Sequence, residues 1–73
     1  MRVFILEDMS GTDIANLGRC VFFSEENKGV EVIGVYKWHS AYGYAVVDDY
    51  NDSYHYTLCE FTKAVPIREL YSK

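Results

Sequence analysis

Long apolar runs are missing from this chain: its uninterrupted hydrophobic stretches are a few residues each, far short of the roughly 20 that a helix needs to cross a bilayer. The sequence therefore predicts no membrane segment. Clustered positive charge is missing too. Arg2, Arg19, Lys28, Lys37, Lys63, Arg68 and Lys73 are scattered, and eleven acids against seven bases leave a net charge of −4. A phosphate backbone is gripped by a basic stripe, so duplex nucleic acid is a poor partner, whereas a nucleotide pocket needing one or two cations stays open. Low-complexity tracts are absent, there is one proline, and 49% of the residues are hydrophobic, a composition of folded rather than disordered chains.

Motifs that carry chemistry are equally scarce. No C-x-x-C, H-E-x-x-H, G-x-x-x-x-G-K-[ST] or G-x-G-x-x-G occurs, so neither a metal centre nor a phosphate cradle is announced. His55 and Cys59 would share a strand face but stand about 13 Å apart at about 3.3 Å per residue, too far to hold one ion. Asp49, Asn51, Ser53 and Glu60 fall in a calcium-loop register, yet Tyr54 occupies the place where the sharp turn needs glycine. Cys59 with His39 or His55 as base lacks an orienting carboxylate or an oxyanion-type glycine cluster. The expectation is a non-enzymatic protein with no metal and no cofactor. The N-terminal residues 1–8 turn acidic after a few apolar positions and offer no small-residue cleavage site, which places the protein in a cytoplasm. There Cys20 and Cys59 are expected as reduced, buried thiols. A bridge between them would close a loop of about forty residues, stabilising by roughly 3 to 4 kcal/mol in the chain-entropy model.

What is present is strand-forming sequence. Residues 29–61 hold three runs rich in β-branched and aromatic residues, separated by His-Ser-Ala-Tyr-Gly and Asp-Asp-Tyr-Asn-Asp. The run 30–38 alternates Val30, Val32, Gly34, Tyr36 and Trp38 against Glu31, Ile33, Val35 and Lys37, so opposite sets face opposite ways. Gly34 inside it suggests a bulge or bend of the kind that curls a sheet. The run 43–48 is short and apolar, and 53–61 alternates again. Residues 49–52 read as the hairpin turn, since Asn and Asp tolerate left-handed backbone and bond to their own main chain.

Upstream, residues 2–7 and 19–23 read as two further strands. Between them Thr12 as N-cap, Asp13 and Gly18 suggest one helical turn. Pro66 should interrupt pairing by removing a donor, and 67–71 should form a helical turn or a last short strand. The whole, residues 1–73, is expected as one mostly-β domain: a small antiparallel sheet of about five strands curled into a partly open barrel, with one or two short helical turns.

Seven Tyr, four Phe and one Trp are more rings than so small a core can hide. Tyr36, Trp38, Tyr42, Tyr44, Tyr50, Tyr54 and Tyr56 crowd the central meander, where half-buried strand residues account for some of them. Rigid rings with polar tips suit protein recognition or base stacking. Tyr36, Trp38, His39, Tyr42 and Tyr44 around the loop 39–43, flanked by Asp49, Tyr50 and Asp52 in the acidic turn, form the expected binding surface.

A short acidic chain that carries GVYKWHSAYGYAVVD, YHYTLCEF and VPIREL resembles the small accessory proteins of phages and mobile elements, and in its five-strand count it resembles SH3-like barrels. The resemblance implies an intracellular, non-enzymatic protein that binds and perturbs a host component, including an inhibitor of a host or antiphage-defence protein. It assigns no residue a role. The residues themselves leave two alternatives beside a protein-interaction module: a binder of nucleotides or another small ligand, with rings stacking on a base and Lys37 or Arg19 meeting phosphate, and a chain whose exposed strand edge pairs with a copy of itself. The oligomeric state is accordingly a monomer or a homodimer.

Overall fold

The computed structural model describes residues 2–26, 29–50 and 54–70. Six strands, β1 (Phe4–Ile5), β2 (Cys20–Phe23), β3 (Glu31–His39), β4 (Gly43–Asp48), β5 (His55–Tyr56) and β6 (Lys63–Pro66), form one sheet in the order β1-β6-β2-β3-β4-β5. Every pairing is antiparallel. Two short helices, α1 (Gly11–Asn16) and α2 (Ile67–Leu70), and two 3-10 turns, Leu6–Asp8 and Leu58–Glu60, complete the chain.

Alternation along the strands decides what is buried. The register pairs Phe22 with Val32 and Ala64, Phe4 with Ala64, and Val46 with Tyr36 and Tyr56, so these side chains share one face. Ile14 and Leu17 of the α1 region, with Leu6 and Phe61 beside the two 3-10 turns, cover that face and close the core. Helix α1 starts where Ser10 accepts the Asp13 N–H at 3.1 Å. It ends at Leu17, followed by Gly18 at a φ of 74°, the left-handed geometry that favours glycine after a helix. Arg68 of α2 donates to the Leu17 carbonyl at 2.9 Å, satisfying an acceptor that α1 leaves open.

Gly34 is the pivot of the sheet. Its partners are Cys20 on β2 and Asp48 on β4, so β3 passes at this residue from one ladder to the other. The backbones approach so closely here that a Cβ on Gly34 would sit 2.1 Å from the Val47 carbonyl oxygen. In place of the bulge or bend expected of this glycine, the register runs unbroken through it and the glycine serves a close approach of main chains.

The mostly-β, antiparallel expectation holds, with five corrections. The sheet has six strands rather than five and is not closed, with β1 and β5 at its two edges. Strand 53–61 is cut short: β5 covers only His55–Tyr56, because Thr57 and Glu60 form a capping box that turns Leu58–Glu60 into a 3-10 helix. The first strand is likewise shortened, to Phe4–Ile5, by the 3-10 turn that follows. Pro66, expected to interrupt pairing, is buried within β6 opposite Cys20. As the last strand residue it loses nothing by lacking an N–H, since the next donor, Ile67 N–H, reaches the Arg19 carbonyl at 2.9 Å. The N-cap of α1 is Ser10, not Thr12.

Replacing Gly34 by alanine forces backbone apart at the pivot, where no flexible side chain can yield. Gly34→Ala is expected to cost about 3 kcal/mol or more, at the upper end of overpacking effects. Urea unfolding monitored by Trp38 fluorescence measures it, and a loss below about 1 kcal/mol would show that β3 and β4 can separate freely.

Candidate interaction surface

The β3–β4 hairpin positions most of the rings. Tyr42 N–H donates to the His39 carbonyl at 3.2 Å, and Gly43 follows at a φ of 75°, a turn-plus-glycine device that restores hairpin register. Ala41 N–H donates to His39 Nδ1 at 3.0 Å, which fixes that imidazole.

The rings divide between the two faces of this hairpin. On the core-side face, Trp38 meets its cross-strand partner Tyr44 edge-on at 5.3 Å, and Tyr44 stacks on Tyr36 at 5.5 Å. Tyr36 is half-buried and packs against the core, whereas Trp38 is 64% exposed and Tyr44 57%. Tyr56 continues the same face through its pairing with Val46; it meets Phe61 at 5.7 Å and stacks with exposed Tyr54 at 6.3 Å. Such ring pairs contribute about 0.5 to 1.5 kcal/mol each beyond burial. The result is an aromatic strip running from core to solvent.

The reverse face carries the second group. Val47 pairs with both Val35 and His55, so by alternation His55, Lys37 and His39 lie on this side. Tyr42 folds over it, stacked on His55 at 3.5 Å with planes 15° apart and 4.7 Å from His39. His55 Nδ1 is buried without a hydrogen-bond partner among the described residues.

The expected surface is thus separated. Tyr36, Trp38 and Tyr44 come together; His39 and Tyr42 join His55 behind them. Asp49 is held by the Arg19 guanidinium, and its N–H donates to the Ile33 carbonyl at 2.9 Å. Tyr50 is 81% exposed with no ring contact among the described residues, and its N–H donates to Asp48 Oδ1 at 2.8 Å. Asp52 lies outside the described residues. Sequence reasoning left Tyr54, Tyr56 and His55 out of the surface, although their place on the strand after the acidic turn could have brought them in. The two cations suggested for phosphate do not serve the strip: Lys37 alternates to the reverse face and Arg19 is engaged by Asp49.

Of the two thiols expected to be reduced and buried, Cys20 is and Cys59 is not. Cys20 is buried, and burial pushes its thiol up to about 11, with nearby Arg68 pulling the other way. Cys59 is exposed, 3.3 Å from the Thr57 hydroxyl, because the 3-10 turn points it outward where a strand residue would have been half-covered. Neither is bridged. No family model matches the chain, and no curated protein and no solved structure matches it.

Three outcomes follow from this geometry. Maleimide should modify Cys59 in the native protein and Cys20 only after unfolding; fast native labelling of Cys20 would contradict its burial. Because the folded-state value of Cys20 lies above its ordinary 9.0, its contribution to stability is complete below pH 9 and is lost as pH rises towards 11. His55→Phe keeps a ring under Tyr42 and removes the orphan nitrogen, so thermal unfolding should show a gain of about 1 kcal/mol. A loss would mean that Nδ1 is satisfied in solution.

Proposed function

We propose that this protein is a non-enzymatic interaction module that docks a protein partner on the strip of Trp38, Tyr44 and Tyr36. The observation that carries this reading is the exposure of Trp38 and Tyr44 on the core-side face of the sheet. Their area is apolar, contiguous with the core and uncovered by any described residue of the chain, the character of a recognition patch. Large aromatic anchors concentrate interface energy. Lys37 lies on the reverse face and Arg19 is engaged by Asp49, which sets the nucleotide-stacking alternative below a protein partner.

The finer reading also stands as a proposal. The meander is SH3-like in plan, and its partner is an intracellular host component that it inhibits, as the resemblance to phage accessory proteins implies. Support for the plan comes from β3 being shared between two ladders.

The test uses the immobilised chain and a nuclease-treated cytosolic extract, with retained proteins identified by mass spectrometry. A protein held by the wild type and by Lys37→Ala should be lost with Trp38→Ala and with Tyr44→Ala, each weakening binding by about 2 kcal/mol, roughly 30-fold. Trp38 lies outside the core, so its truncation should cost less than about 1.5 kcal/mol of stability, the worth of one ring pair. Equal retention by all four proteins would place the surface elsewhere.

A further inference from the structure

The other end of the sheet holds a second feature, separate in sequence from the aromatic strip. A cleft of about 840 Å³ opens between the end of β1, the segment after β2 and the 3-10 turn Leu58–Glu60. Its size falls in the range of ligand-binding clefts. Ile5, Leu58 and Phe61 give it an apolar lining, and Ile5 is 45% exposed. Glu7, Glu25 and Glu26 also line it, against a single cation among the described residues, Lys63. Lys63 is taken: its ammonium binds the Glu25 carboxylate. Glu7 and Glu26 have no ion-pair partner among the described residues.

We infer that this cleft binds an extended basic peptide segment of a partner protein, an aliphatic side chain entering the apolar lining while Lys or Arg residues beside it meet Glu7 and Glu26. Charge complementarity selects this occupant. An acidic or neutral apolar segment would leave two carboxylates desolvated and unpaired, whereas a chain with cations spaced along it reaches carboxylates that come from two separate segments. A small amine would satisfy one carboxylate and leave most of the lining empty. Because Glu25 already holds Lys63, the acidic surplus stays at Glu7 and Glu26, and the selectivity depends on those two.

The probe is a fluorescein-labelled peptide, Leu-Arg-Leu-Lys-Leu-Arg, with Leu-Glu-Leu-Glu-Leu-Glu as its acidic counterpart, measured by anisotropy against the full chain. Expected is saturable binding of the basic peptide at least tenfold tighter than of the acidic one. The doubly neutralised variant Glu7→Gln with Glu26→Gln, whose exposed positions leave the core untouched, should lose at least tenfold. Trp38→Ala should bind like the wild type, which separates this site from the aromatic strip. Cys59 also lines the cleft, so bound peptide should slow its modification by maleimide several-fold. Unchanged affinity in the Gln variant, no protection of Cys59, loss of binding with Trp38→Ala, or no binding at millimolar peptide would each overturn the inference.

Discussion

Two main chains meet at Gly34 with no room for a side chain between them, and the remaining architecture depends on that approach. Because β3 can serve β2 up to this residue and β4 from it, one nine-residue strand joins two ladders that would otherwise be separate hairpins. A two-stranded hairpin is marginal in water, whereas a continuous sheet with a covered face is not. Asp49 extends the linkage by donating to the Ile33 carbonyl, one residue before the pivot. The ion pair of Asp49 with Arg19 lies on the same seam and, being exposed, adds little energy. Its use is positional: it holds the acidic turn against the start of β2.

The core-side face is longer than its cover. Helix α1 has six residues and the 3-10 turns three each, enough to roof Phe22, Val32 and Val46. The roof ends near Tyr36. Beyond it the same alternation that buried Val32 and set Tyr36 against the core continues to Trp38 and Tyr44, which emerge into solvent as neighbours. Core and surface patch are therefore one periodic pattern. The cleft at the opposite end arises similarly, where short 3-10 turns replace strand and leave Ile5 and Leu58 incompletely covered.

Much of this was legible in the sequence. The span of β4 could be read to the residue, and β2 and β3 to within one, because each is bounded by glycine or polar turns; β2 and β3 alternate, and β4 is a short apolar run. The division of Trp38 from Lys37 was legible for the same reason. What escaped were features set by single hydrogen bonds or by termini. The alternation of 53–61 runs straight through a 3-10 turn, and only the Thr57 and Glu60 pairing betrays it. Strand β6 was hidden by Pro66, whose missing donor matters inside a strand but not at its last position. The placement of Tyr42 over His55 depends on how a three-residue turn folds back, which periodicity does not encode.

The order of strands also bears on how the molecule comes into being. Strand β6 is inserted between β1 and β2, although it lies some forty residues beyond β2 in the chain. During synthesis the meander of β2, β3 and β4 has its partners early, but β1 has none until β6 has been made. Closing that gap is a long-range step, paid in chain entropy before the contacts repay it. Arg68 then locks the arrangement by reaching back to Leu17. A ribosome-bound chain that has not yet reached β6 leaves Phe4 and Phe22 without their Ala64 partner along an open edge, the state most exposed to capture by chaperones or by other nascent chains.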